Sequence, residues 1–303
     1  MDNNRAKVAV VDVEAIDTAV PQAIELVGGL KGLEPGMVVL IKPNVNSDDP
    51  FPATSNPETV AALVDYVKRY NPGRIIVGDA SNSSYLPTLE SMRTLGIYQS
   101  AREAGADVVG FEEEEWVEVS PQGADNWRRF SVPRMLLDVD YVISQCVVKT
   151  HFKAVYSMAL KNWMGVADYR SRFSIHTSPR EVFYKRLAEL NLARPADFVL
   201  LDGTRAMVSG GPFRGDTVEA NLMVATPNIT AADATGLAIL KYLGTERRIQ
   251  DVSVWSQPVL CRGMEIGLGV RSGAEIDLVS RDFADVDVVS DFLEIPEERR
   301  IPA

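Results

Sequence analysis

The sequence predicts an α/β fold: a largely parallel sheet or sheets flanked by helices, Rossmann-like, in two lobes around a cleft. Three observations lead there. Short runs rich in Val and Ile recur along the chain, each closed by polar residues, as buried strands are. Segments with helical spacing lie between them, and strand alternating with helix gives a parallel sheet. A chain of 303 residues with 46% hydrophobic content can bury a sizeable core. A soft boundary near 140 divides an amino-terminal α/β lobe, 1–140, from a carboxyl-terminal α/β lobe, 141–303, unless the two form one continuous domain.

Lys7 to Val13 reads as the first strand, and Ala15 to Val27 as a helix stopped by Gly28-Gly29. Met37 to Ile41 is a second strand ending in Lys42-Pro43-Asn44. Asn56-Pro57-Glu58 has the form of a helix start, with a capping side chain, proline at the first position and an acid beside the dipole; that helix runs to about Tyr70. Arg74 to Gly78 is a third strand closed by Asp79, followed by a polar turn and a helix over 86–96. The acidic run Glu112 to Glu115 reads as a solvated loop, and 116–133 as short strands or a hairpin. Val142 to Val148 is a buried strand, and Ala154 to Trp163 has helical spacing. A helix starts at Ser178 and runs to about Leu192. Phe198 to Leu201 is a strand ending at Asp202-Gly203, Leu222 to Ala225 another, and Asn228 to Leu243 a helix carrying Asp233.

The net charge of -11 leaves no basic stripe for nucleic acid or an anionic membrane surface. Cys146 and Cys261 have no pair or cluster spacing, which excludes a disulfide framework and a cysteine-ligated cluster and fits a reducing cytoplasm. No signal-peptide pattern or apolar stretch of spanning length is present, so a cytoplasmic protein is expected.

The stretch from 142 to 176 concentrates the chemistry. It holds the only two histidines, His151 and His176, with Lys149, Lys161 and Asn162. Lys149-Thr150-His151 would emerge at a strand's carboxyl end, where open α/β sheets place ligands. Lys42 with Asn44, and Asp79, would stand at two other strand ends. His151 suits a general acid or base, since an imidazole titrates near working pH. Lys161 suits pairing with a substrate carboxylate or phosphate, or, with its pKa lowered by burial, nucleophilic attack on a carbonyl. His176 suits a metal ligand, with carboxylates for coordination or charge balance at Asp79, Asp202 and Asp233. The glycines at 210, 211 and 215 would let backbone amides approach an anion. The Gly-rich dinucleotide turn, the Walker-type loop and the Gly-x-Ser-x-Gly elbow are all missing.

Lys42-Pro43-Asn44, Thr54 with Pro57, Lys149-Thr150-His151, Leu160-Lys161-Asn162 with Gly165, His176, Asp202-Gly203, Gly211-Pro212 with Gly215, Asp233 and Gly267-Leu268-Gly269 together resemble the domain-of-unknown-function 362 family over roughly 38–270. The resemblance implies an α/β fold. Many members carry appended iron–sulfur motifs, which implies redox connections and an iron–sulfur partner, although this chain lacks those cysteines. The order of His151, Lys161 and His176 is also similar to the catalytic stretch of the nickel-pincer lactate racemase family. That likeness implies His151 as acid or base, Lys161 as covalent anchor of a pincer nucleotide, and His176 as nickel ligand. A racemase also needs a proton-handling group on the opposite face, for which Lys149 or Tyr85 would have to serve.

Two classes of function follow. One is a cytoplasmic enzyme, an isomerase or oxidoreductase, that uses His151, Lys161 and Lys149 for proton or hydride transfer on a small anion such as a hydroxy acid, around nickel, iron, zinc or a pincer nucleotide. In it Lys42, Asn44, Asn162, Gly210, Gly211 and Gly215 hold the cofactor. The other is a non-catalytic phosphate or carboxylate binding module, or a redox accessory protein to an iron–sulfur partner.

Overall fold

The computed structural model describes residues 5–81, 86–297 and 300–302. Its strands are β1 (Ala6–Asp12), β2 (Val38–Lys42), β3 (Arg74–Asp79), β4 (Asp107–Gly110), β5 (Trp116–Val119), β6 (Phe130–Pro133), β7 (Tyr141–His151), β8 (Val155–Tyr156), β9 (Phe198–Met207), β10 (Thr217–Thr226), β11 (Ile276–Ser280) and β12 (Arg300–Pro302). One sheet runs β12-β11-β1-β10-β9-β7-β2-β3-β4, with β8 hanging from β7, and β5 and β6 form a separate antiparallel hairpin. Pairing in the main sheet is parallel except where β10 meets β1 and β9 and where β8 folds back on β7. This is the expected α/β architecture, and the sequences on either side of residue 140 interleave in the same sheet: β1 lies between β11 and β10, and β2 beside β7.

Alternation along the strands supplies both faces of the sheet with apolar side chains. In β1, Val8 and Val10 join one buried cluster while Ala9 and Val11 join the other; in β2, Leu40 faces the first and Val39 and Ile41 the second. Helices Ile16–Leu26 and Pro57–Lys68 cover the second face, and Arg180–Glu189, Ile229–Leu243 and Pro258–Glu265 the first. Each fully buried aliphatic side chain contributes roughly 1.5–3 kcal/mol. The Asn56 side chain caps its helix by accepting from the Glu58 amide, and Asn228 caps Ile229–Leu243 by accepting from Ala231.

Three expectations change. The helix expected over 154–163 is reduced to Ala159–Asn162, because Val155 takes a left-handed backbone (φ 75°) and pairs with His151 as β8. Asp202-Gly203 is not a strand end: β9 continues to Met207 through its pairing with β10, and Gly203 packs against the Leu222 carbonyl. Glu112 is not simply solvated. Its carboxylate accepts the amide and hydroxyl of Thr88 at 2.5 and 2.7 Å at the start of helix Thr88–Thr94.

Candidate active site

In the sheet β7, β2 and β3 are neighbours and parallel, so their carboxyl ends open side by side. A cavity of about 100 Å³ lies there, and His151, Lys161 and His176 all line it, with Asn44, Asn46, Asp79, Asn162, Arg172, Phe152 and Phe213 among its other walls. Ligand sites at the carboxyl ends of parallel strands are the rule in open α/β sheets.

His151 is the last residue of β7 and is 4% exposed. The turn into β8 sends two amides, of Lys153 and Ala154, onto its Nδ1 at 3.1 and 3.0 Å. A nitrogen accepting two N–H groups carries no proton, so in the neutral ring the hydrogen sits on Nε2. Burial, followed by the charges of Lys161 and Lys149, pushes the imidazole far below its ordinary pKa. The expected acid or base is therefore a neutral Nε2–H donor at pH 7.

Lys161 projects from the single turn Ala159–Asn162. Asp233 holds the start of that turn, its carboxylate accepting the amides of Ala159 at 2.6 Å and Leu160 at 3.3 Å, and Asn191 donates to the Leu160 carbonyl at 3.0 Å. Burial, with the charge of Lys42 added, brings the Lys161 amine down to about 8. Among the described residues no carboxylate pairs with it and no acceptor takes its hydrogens.

His176 and Arg172 come from helix Tyr169–Thr177, which Asp168 caps through the Ser171 amide. One helical turn separates them, so they share a face. Burial and the charges of Lys161, Lys153 and Arg172 lower His176 to about 4. Arg172 donates to the carbonyls of Ala80 and Ser81 through one terminal nitrogen, while its Nε, buried, has no partner among the described residues. The same holds for Asn46 Oδ1. Neither Arg172 nor Asn46 was among the expected site residues. A loop residue after β2 and an arginine on a helix with no amphipathic pattern leave no periodic signal in sequence.

Several expected participants are engaged by the fold itself. Lys149 is fully buried with its ammonium on Asn44 Oδ1 at 2.5 Å and on the Ala53 carbonyl; burial and the Lys161 charge lower it to about 7. It holds Asn44, and Asn44 lines the cavity. Lys42 binds Asp79 at 2.6 Å, with both side chains buried, so it is paired and not free to take a cofactor. Asn162 is consumed by the fold, its Nδ2 donating to Ser144 Oγ at 3.0 Å and to the Lys42 carbonyl at 3.2 Å. The glycine loop spends its amides internally: Gly210 donates to Glu246, and Gly211 to Thr150 Oγ1. Gly215 fits against the Ser209 carbonyl, where a Cβ would lie 1.8 Å from the oxygen. What the loop offers the cavity is Pro212 and Phe213.

The carboxylates expected to join His176 at a metal are occupied elsewhere. Asp79 is paired with Lys42 and accepts the Val45 amide; Asp202 accepts Thr59 and Thr204 hydroxyls at 2.5 and 2.7 Å; Asp233 caps the Lys161 turn. Among the described residues no group of three His, Cys, Asp or Glu side chains is placed to hold a metal ion. Tyr85 lies outside the described residues.

Comparison with known proteins gives three likenesses. The profile of the family described as "Domain of unknown function (DUF362)" matches residues 39–238. A thylakoid-associated protein of Synechocystis sp. is 26% identical over 226 residues, covering 69% of this chain and 65% of that protein. The chain thus spans about two thirds of that relative's length. The lactate racemase apoprotein of Thermoanaerobacterium thermosaccharolyticum superposes with a TM-score of 0.48 and 10% identity over 98% of this chain and 88% of the other. None of the described helices is long and apolar enough to cross a membrane.

Proposed function

Because the chain belongs to the domain-of-unknown-function 362 family, whose name assigns no activity, we propose from the cavity itself that the protein is an enzyme acting on a small anion, such as a hydroxy acid, by proton or hydride transfer. The observation that carries this reading is that, among the described residues, Lys161 has no carboxylate partner and the buried Arg172 Nε has no acceptor at one cavity. A desolvated cation without a counter-charge costs free energy, and a bound carboxylate or phosphate offsets it. The Nε2–H of His151 supplies a third donor, and Asn46 Oδ1 accepts from a hydroxyl of the ligand. Lys161 near neutrality is divided between ammonium and free amine, so it serves as anion partner or as covalent anchor.

A metal ion held by side chains alone does not fit this donor set, since among the described residues no group of three His, Cys, Asp or Glu side chains is placed to hold one. A metal-organic group that brings its own donors needs only an amine and an imidazole, and Lys161 with the neutral His176 fit that. Such a group, when bound, would supply a hydride acceptor. Intact-mass measurement on protein from its native host tests this: an adduct on Lys161 supports the anchor, and an unmodified mass removes it.

The neutral state of both histidines favours a second reading, a non-catalytic anion-binding module. His151→Gln separates the two, because the Gln amide keeps an N–H donor for the anion, so a module keeps its affinity whereas an enzyme loses turnover. The first test is isothermal titration with acetate and with inorganic phosphate. Saturable binding that disappears in Lys161→Met is expected, and binding that survives that substitution contradicts the site.

A further inference from the structure

The cavity is about 100 Å³, well below the roughly 300–1,000 Å³ of sites that engulf a larger ligand. Its polar groups are inward and its rim is apolar: His151 is 4% exposed whereas Phe152 is 63% and Phe213 39% exposed. The backbone of Phe152 is held on both sides. The Phe152 amide donates to the Gly211 carbonyl at 2.8 Å and its carbonyl accepts from Arg248 at 2.6 Å. Phe213 follows the glycine loop closed on Ser209 and Thr150. The Phe152 ring stacks on His151, with centroids 5.0 Å apart and planes 17° from parallel. Of the large apolar side chains exposed among the described residues, Phe152, Phe213, Tyr169 and Phe173 belong to this rim or to the helix that delivers Arg172 and His176. Apolar exposure concentrated beside a polar cavity marks a binding surface.

We infer that the ligand is amphipathic: an anionic head on Lys161 and Arg172 inside the cavity, and an apolar arm extending out across Phe152 and Phe213. This inference rests on the anion-binding reading above and narrows it. A head group alone leaves the two aromatic rings in water, whereas an aryl or alkyl arm covers them. Aromatic pairing beyond area burial favours an aryl arm.

Calorimetric titration of the full chain with acetate, phenylacetate and benzyl alcohol tests it. Phenylacetate should bind roughly tenfold more tightly than acetate, the advantage expected from covering one aromatic ring. Benzyl alcohol, without the charge, should bind more weakly than either. In the Phe152→Ala, Phe213→Ala double variant the preference for phenylacetate should fall to near one. Equal affinities for the two acids in the wild-type protein, or a preference that persists in the double variant, overturn the apolar arm and leave the anion site standing. Failure of both acids to bind overturns the anion site as well.

Discussion

Among the described residues Lys161 is an amine without a partner, and its charge is what a ligand would read. Since burial brings it to about 8, the free protein carries the ammonium below that pH and loses it above. Anion affinity should therefore be greatest below about pH 8 and fall as pH rises, approaching tenfold per unit where ammonium binding dominates. Titration calorimetry at several pH values checks this, and Lys161→Met should abolish the dependence. His176 gives a second prediction of opposite sense. Its native value of about 4 lies below the ~6.5 of an unfolded histidine. Between these values the unfolded chain binds a proton that the native chain refuses, so stability falls as pH drops through that window. The ceiling is about 1.4 kcal/mol per pH unit, reduced here because the ring is partly exposed. Urea denaturation at about pH 7 and about pH 5 should show a smaller loss in His176→Gln than in the wild-type protein.

At the scale of elements, the turn Ala159–Asn162 is too short to be stable alone and is held by what surrounds it. Asp233→Ala would leave the amides of Ala159 and Leu160 buried and unpaired, with an expected cost of about 1–3 kcal/mol. Asp233→Asn, which keeps an acceptor oxygen, should cost less, and chemical denaturation distinguishes them. Gly165 lies against the buried ion pair. A Cβ there would fall 1.9 Å from Asp79 Oδ1 and 2.7 Å from Lys42 Nζ, so Gly165→Ala should destabilise the protein and weaken anion binding together. β1, β2, β3, β7, β9 and β10 were legible because each contains a run of Val, Ile, Leu or Ala, and the polar ends of β2, β3 and β7 pointed to the site. The 154–163 segment was misread because its apolar spacing satisfies a helix as well as a hairpin, and the left-handed Val155 leaves no mark in sequence. Helix Tyr169–Thr177 was missed because its buried positions follow no apolar stripe, and with it went Arg172. Lys42 and Lys149 could be placed at strand ends, yet their partners, Asp79 and Asn44, are set by register between strands far apart in sequence.

The whole molecule is organised by interleaving. β1 takes its hydrogen bonds from β10 and β11, and β2 is bonded to β7, so separating the chain at residue 140 would leave long apolar strand edges unpaired. Fragments 1–140 and 141–303 should each fail to fold alone, and the intact chain should unfold in one transition, both observable by circular dichroism. The same sheet gathers Lys161, Arg172 and two neutral imidazoles into one hollow on a chain whose net charge is -11. The most direct test of that site is the titration of the Lys161 side chain followed by NMR, alone and with phenylacetate. The account predicts a midpoint near 8 in the free protein, displaced upward when the anion binds. A midpoint at the ordinary ~10.4 of a solvated lysine, unmoved by the anion, would contradict it.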